Sequence, residues 1–175
     1  IARKGNIEVC RTLYCGSFSK SLAPGLRVGW VCAGKEVISK LVLMKQAADL
    51  HSSTANQIVT HRVARDIFAP HVTKLRQVYG ARRDHLLAAL KREMPEGVTW
   101  TKPEGGMFVW LTLPKGMDGA ELLAKSLATE RVAFVPGRAF YADGSNGNTL
   151  RLSFSCDDEA AIDEGMKRLG RLIRG

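Results

Sequence analysis

One short segment of the chain combines an amine nucleophile with groups that bind anions. Lys20 follows two hydroxyl residues, Ser17 and Ser19, and Arg27 comes seven positions after the lysine, beyond a Pro-Gly pair. A lysine amine forms a Schiff base with the carbonyl group of an aldehyde. Hydroxyls and a forked guanidinium are suited to bind phosphate. The segment therefore predicts a site for a small phosphorylated aldehyde.

Four segments of the sequence resemble fold type I pyridoxal-phosphate aminotransferases and occur in the order found in that family. The first, at 16–29, resembles the segment that carries the cofactor lysine. The others lie at 103–111, 135–141 and 148–154. The resemblance is to the class I and II branch that holds 2-aminoadipate, aromatic and broad-specificity aminotransferases. It implies an α/β fold made of the C-terminal part of the large domain and the small C-terminal domain.

The resemblance assigns roles to the residues of the first segment. Lys20 corresponds to the catalytic lysine, which binds pyridoxal 5′-phosphate and moves a proton between the substrate's α-carbon and the cofactor's C4′. Ser17, Ser19 and Arg27 correspond to residues on the phosphate side of the cofactor. Together with Lys20, these three are the predicted cofactor-binding residues.

Later segments supply a predicted substrate-binding residue and two residues whose roles stay open. Arg151 stands in an apolar alternation, where a charge is costly unless paired, and it corresponds to the family's arginine for the substrate's α-carboxylate. The alternative is an edge-strand arginine that faces solvent. For Phe108 the two interpretations are a residue that borders the substrate side chain and a core aromatic residue. For Arg138 they are a substitution on the surface and a residue that favours substrates with acidic side chains.

Composition disfavours several other classes of protein. No apolar run approaches the roughly 20 residues that span a bilayer. The net charge of +9 admits nucleic-acid binding, but acids are interleaved with the basic residues, which favours a solvated basic face. The four cysteines and four histidines lack the spacing of a metal site, so we expect no bound metal. Reduced cysteines of this kind indicate a cytoplasmic protein.

The predicted organisation is a remnant of the large cofactor-binding domain at 1–80, followed by a small α/β domain at 81–175. In the first part we predict two strands and then three helices, the last beginning at Pro70: 9–14, 28–33, 35–50, 54–69 and 70–94. In the second part the order is β-β-α-β-β-α: 98–102, 106–113, 118–130, 132–135, 149–154 and a final helix. Ser155 and Asp158 form a capping box at the start of that helix.

These features predict an enzyme that moves an amino group from a 2-amino acid to a 2-oxo acid, with 2-oxoglutarate as acceptor. The resemblance also implies a homodimer in which residues 52–56 reach the partner's cofactor. One alternative is the aminotransferase-like effector domain of a winged-helix transcriptional regulator; another is a pyridoxal-phosphate lyase on the same fold. The family's aspartate for the pyridinium nitrogen precedes the lysine segment and is missing from this chain. We therefore expect an incomplete chain whose 175 residues alone are inactive.

Overall fold

A computed structural model describes residues 5–175 of the chain. These residues form two units, and the boundary between the units lies between Leu75 and Arg76. The sequence-based boundary lies a few residues later, near Ala81. The assignment of the two parts to a large cofactor domain and a small domain stays a prediction.

The first unit contains a hairpin of two antiparallel strands. β1 (Tyr14–Ser17) pairs with β2 (Gly29–Cys32), and Ser17 lies opposite Gly29. Glycine is needed on both strands, because a Cβ at Gly29 would lie 2.8 Å from the Gly16 carbonyl oxygen and a Cβ at Gly16 would overlap the Trp30 ring. The prediction of a strand at 28–33 is confirmed.

The predicted strand at 9–14 is wrong. Ile7–Val9 form a 3-10 helix instead, and the Asn6 side chain caps it by accepting a hydrogen bond from the Glu8 amide. β1 begins only at Tyr14, which pairs with Cys32, the last residue of β2. Residues before Tyr14 therefore have no strand beside them, since the chain turns after Cys32 into a helix.

That helix, α1 (Lys35–Asp49), confirms the helix predicted at 35–50. The next, α2 (Thr54–Glu93), is one continuous helix with Pro70 inside it, so the predicted break at Pro70 is wrong. Proline removes one helical hydrogen bond and strains the helix locally. The helix continues because residues on both sides keep helical hydrogen bonding and its last turns are anchored in the core.

A hydroxyl of the segment 52–54 caps the start of α2, as predicted. The Ser53 hydroxyl accepts a hydrogen bond from the Asn56 amide at 3.3 Å.

The second unit contains the part of α2 that follows Leu75, a four-stranded antiparallel sheet and two further helices. The strands are β3 (Thr99–Trp100), β4 (Phe108–Thr112), β5 (Val135–Pro136) and β6 (Thr149–Ser153), and their spatial order is β3-β4-β6-β5. The helices are α3 (Gly119–Thr129) and α4 (Glu159–Arg174). The predicted order of elements in this part is confirmed, although three of the four strands are shorter than predicted by at least two residues.

The capping box predicted for the last helix is wrong. Asp158 alone caps α4 and accepts a hydrogen bond from the Ala161 amide at 2.9 Å. Ser155 cannot start the helix, because the preceding residue, Phe154, still donates its amide to the Met107 carbonyl and so continues the sheet. The Ser155 hydroxyl instead lies 2.9 Å from that of Ser153.

The hydrophobic core lies in the second unit and is formed by the end of α2, the sheet, α3 and α4. Its least exposed members include Leu90, Leu111, Leu150, Phe154 and Leu169, each at most 1% exposed. In the described part of the first unit, by contrast, no large apolar side chain is fully buried. Among residues 5–175, every helix is too short or too polar to cross a membrane.

Candidate functional site

The segment 17–28, here called the lysine loop, consists of the last residue of β1 and the loop that leads to β2. It contains all four residues predicted to hold a cofactor: Ser17, Ser19, Lys20 and Arg27. The strand register closes the base of this loop, and the Phe18 amide extends the pairing by donating to the Val28 carbonyl at 3.1 Å. The structure therefore brings the predicted lysine and the predicted phosphate ligands into one loop.

Lys20 lies on a turn that backbone hydrogen bonds and aromatic packing hold in place. The amides of Leu22 and Ala23 both donate to the Phe18 carbonyl, at 2.8 and 3.1 Å. The Phe18 ring packs against Trp30, with ring centres 4.9 Å apart, and against Phe68 at 6.0 Å. Lys20 itself is exposed, and its ammonium group has no hydrogen-bond partner within the described residues. The turn thus presents a free amine on an anchored backbone.

The other loop residues retain donors suited to an anion. The Ser17 hydroxyl oxygen accepts from the Ser19 amide at 3.0 Å, which leaves its own O–H free to donate. Arg27 gives one guanidinium N–H to the Pro24 carbonyl at 3.2 Å, and nothing in residues 5–175 engages the others. Its backbone is left-handed, with φ of 54°, a strained conformation for a residue other than glycine. Two hydroxyls and a guanidinium in one short segment are donors of the kind that bind a phosphate group.

Asn56, near the start of α2, fixes the loop beside Arg27. Its side-chain amide donates to the Leu26 carbonyl at 3.1 Å. Sequence reasoning placed Asn56 only in the segment predicted to reach a partner subunit, and no local pattern connects it with a residue so distant in sequence. The structure adds a role within its own chain, as a support of the lysine loop.

Arg151 lies in the second unit, on an inner strand of the sheet. β6 has β4 on one side and β5 on the other, and Arg151 is paired with Trp110 and with Val135. The alternative of an edge-strand arginine facing solvent is therefore wrong. Its Nε is buried and has no hydrogen-bond partner among the described residues. Leaving such a donor unpaired costs about 1–3 kcal/mol, so the arrangement suits an anionic ligand.

A cavity of about 240 Å³ adjoins this guanidinium and is lined by Phe108, Ala133, Phe134, Val135, Arg151 and Ser153. Phe108 is 39% exposed, so it is a wall of this cavity and not a core aromatic. Its ring centre lies 3.9 Å from the guanidinium carbon of Arg151. The Phe140 ring centre is 4.7 Å from the same carbon. Sequence reasoning included Phe140 only within a segment of family resemblance.

Arg138 has a partner within its own unit. Its guanidinium lies 2.5 Å from the Asp118 carboxylate, which caps α3 by accepting from the Ala120 and Glu121 amides at 2.8 and 3.2 Å. These two amides, and then the Arg138 charge, hold the pKa of Asp118 below its ordinary value. The contact supports the interpretation of Arg138 as a surface residue, here paired with a helix cap.

The model of the family of class I and II aminotransferases matches residues 2–169. The chain belongs to this family. A 2-aminoadipate transaminase of Thermus thermophilus is 47% identical over 163 residues, which are 93% of this chain and 41% of that protein. Aromatic-amino-acid aminotransferase 1 of Thermococcus litoralis is 47% identical over 168 residues, covering 95% of this chain and 40% of the relative. The chain thus spans about two fifths of the length of these curated relatives.

Solved structures agree with this assignment. The crystal structure of the Thermus thermophilus α-aminoadipate aminotransferase, complexed with N-(5′-phosphopyridoxyl)-L-leucine, has a TM-score of 0.88 and 46% identity, over 93% of this chain and 41% of that one. The predicted fold class, α/β of the fold type I aminotransferases, is confirmed. Transcriptional regulators of the HTH type are also similar: one from Bacillus subtilis is 35% identical over 93% of this chain and 33% of its own length.

Proposed function

We propose that the protein containing this chain is a pyridoxal-phosphate-dependent aminotransferase that moves an amino group from a 2-amino acid to 2-oxoglutarate. The lysine loop carries the proposal, because one short segment contains an exposed lysine together with hydroxyls and a guanidinium of the kind that bind phosphate. Similarity to the aminotransferases named above supports it. The regulator alternative is less favoured, because the regulator is the more distant relative.

The four predicted cofactor-binding residues, and Asn56 beside them, each have a task in this proposal. Pyridoxal phosphate, when bound, supplies the electron sink for the reaction. Lys20 Nζ would hold the cofactor at its aldehyde carbon before substrate binds, and as a free amine afterwards it would carry the proton to and from the substrate's α-carbon. The hydroxyls of Ser17 and Ser19 and the guanidinium of Arg27 bind the phosphate. Asn56 keeps the loop in place through the Leu26 carbonyl.

Arg151 binds the substrate's α-carboxylate in this proposal. A guanidinium matches a carboxylate with two parallel N–H donors in one plane. The buried, partnerless Nε and the adjoining cavity support this role. Candidate amino donors are 2-aminoadipate and the aromatic amino acids, the substrates named for the similar enzymes of Thermus and Thermococcus.

The proposed function is tested by assaying the intact protein with pyridoxal phosphate and 2-oxoglutarate. The amino donors are 2-aminoadipate, aromatic and branched amino acids, and glutamate formation is the readout. We expect glutamate with at least one donor. A protein that binds the cofactor and a DNA duplex but forms no glutamate with any donor would instead support the regulator alternative.

Arg151→Lys is expected to lower kcat/KM for 2-amino acids by about 30-fold, equivalent to about 2 kcal/mol, because lysine lacks the planar fork. Amines that lack the carboxylate should react at nearly unchanged rates. Arg138→Lys is the matched control, since it makes the same chemical change at an exposed arginine paired with Asp118. Equal losses for substrates with and without the carboxylate would mean that Arg151 has a structural role.

We also propose a homodimer, with residues 52–56 near the partner's cofactor, and a cytoplasmic location. The apolar surface of α1 supports an interface, since Leu43, Met44 and Leu50, the residue after the helix, are 59%, 67% and 70% exposed. Exposed apolar surface of this kind is typical of regions that another part of an assembly covers. Light scattering on the intact protein measures the oligomeric state, and an active, strictly monomeric protein would contradict the dimer.

A further inference from the structure

The guanidinium of Arg151 is held by two aromatic rings that come from different neighbours of its strand. Phe108 belongs to β4, on one side of β6, and Phe140 belongs to the 3-10 helix Gly137–Phe140, which follows β5 on the other side. The guanidinium carbon lies over both ring faces, 3.9 Å from the centre of Phe108 and 4.7 Å from that of Phe140. A cation in this position is attracted by the negative face of each ring.

Hydrophobic burial does not explain these two rings. Phe108 is 39% exposed and Phe140 is 50% exposed, whereas Phe154 of the true core is 1% exposed. Their shared contact is the Arg151 guanidinium, and Phe140 also packs edge-on against Trp110 at 5.4 Å. The two rings therefore contribute mainly to cation–π contacts with Arg151 and little to the core.

The rings hold the cation without using its hydrogen-bond donors. Within residues 5–175, no carboxylate forms an ion pair with Arg151, and its buried Nε has no acceptor. An acidic partner would fix the side chain equally well, but it would occupy the N–H groups that a ligand needs. An aromatic ring attracts the cation through its negative face and does not need a conventional N–H···O hydrogen bond, so the N–H groups of Arg151 stay available to a ligand.

We propose that Phe108 and Phe140 form an aromatic clamp that positions the Arg151 guanidinium for the substrate's α-carboxylate. The inference deepens the proposed function and rests on the carboxylate-binding role of Arg151. The two rings contact the guanidinium carbon, and no acceptor among the described residues uses the N–H donors of Arg151, so two of them can face a ligand. Two parallel N–H donors match a planar anion that accepts two hydrogen bonds, and so favour a carboxylate.

The test measures binding and not only catalysis. Adipate and 3-phenylpropionate carry a carboxylate but no amino group, so the cofactor-loaded intact protein can bind them without turnover. 3-Phenylpropan-1-ol, which lacks the carboxylate, is the reference ligand. Calorimetric titration should show that Phe108→Leu weakens carboxylate binding about five-fold, through loss of a desolvated cation–π contact, and leaves binding of the alcohol unchanged. Phe108→Tyr keeps the ring and should bind the carboxylates like the unsubstituted protein.

Two further variants separate the clamp from general packing. Phe140→Leu should weaken carboxylate binding in the same sense as Phe108→Leu, and both should raise KM for 2-amino acids more than they lower kcat. Leu127→Ala, at a 52% exposed position on α3, is the control and should change neither quantity. Three results would overturn the proposal. Phe108→Leu and Phe108→Tyr could weaken carboxylate binding equally, Phe108→Leu could leave carboxylate binding unchanged, or the unsubstituted protein could bind neither carboxylate. Altered carboxylate binding in a protein that forms no glutamate would support the clamp and reject the proposed reaction.

Discussion

Replacement of Lys20 by alanine is expected to abolish transamination by the intact protein. Alanine removes both the amine that holds the cofactor and the base that moves the proton at the substrate's α-carbon. General acid–base catalysis alone contributes about 10²–10⁴-fold, and loss of the bond to the cofactor adds to it, so the rate of glutamate formation should fall at least about 100-fold. The surrounding turn should persist, because its hydrogen bonds run between the backbone groups of Phe18, Leu22 and Ala23 and do not involve the lysine side chain.

Borohydride reduction followed by peptide mass spectrometry checks the role of Lys20 independently of turnover. The unsubstituted protein should carry the reduced cofactor on the peptide that contains Lys20, and Lys20→Ala should carry none. Lys40→Ala is the matched control, since Lys40 is an exposed lysine of α1 in the same unit. It should retain both the covalent adduct and the activity. An adduct on another peptide of Lys20→Ala would show that a different lysine holds the cofactor.

Elements of the fold with strong local signals could be predicted from the sequence. α3 has a capping aspartate, Asp118, and apolar residues at helical spacing, and the structure gives the helix at the predicted place. β2 and β6 are apolar runs between turn residues, and both were predicted within two residues of their ends. In each case the residues that define the element lie within the element or beside it.

The wrong predictions share a physical cause, which is competition from contacts distant in sequence. Val9 belongs to an apolar run that favours a strand, yet no strand lies beside it once the chain turns after Cys32. Pro70 normally ends a helix, but the last turns of α2 pack in the core through Leu86 and Leu90, and the helix continues past the proline. Ser155 has the spacing of a capping residue, but the preceding residue is still held in the sheet by Met107.

The same distinction applies to the candidate site. The lysine loop could be recognised from sequence because its amine, hydroxyls and guanidinium lie within one short segment. The environment of Arg151 could not, since its two aromatic rings come from segments that only the sheet order β4-β6-β5 brings together. Residue types thus predicted the chemistry of Arg151, whereas the groups that hold its guanidinium required the tertiary structure.

Gly170→Ala is expected to give the largest loss of stability among single methyl additions in α4. Gly170 is buried, and a Cβ there would overlap the carbonyl oxygen of Glu93, the last residue of α2. That oxygen is backbone and also accepts a hydrogen bond from Arg174 at 2.9 Å, so it cannot move aside freely. Moving α4 away from α2 would open the core beneath Leu169 and Leu172. Overpacking of this kind costs about 3 kcal/mol.

Gly165→Ala is the matched control, because the same substitution in the same helix meets no atom within 4 Å. Alanine stabilises an open helical position by about 0.5–1 kcal/mol relative to glycine, so the two substitutions should change the free energy of unfolding in opposite directions. Urea unfolding followed by tryptophan fluorescence measures both, since Trp100 and Trp110 lie in the sheet of the second unit. If Gly170→Ala left the urea midpoint unchanged, or raised it as Gly165→Ala does, α4 could not cross the end of α2 at Gly170. The close crossing explains why glycine occupies position 170, since only a residue without a side chain lets the last helix seal the core against the Glu93 backbone.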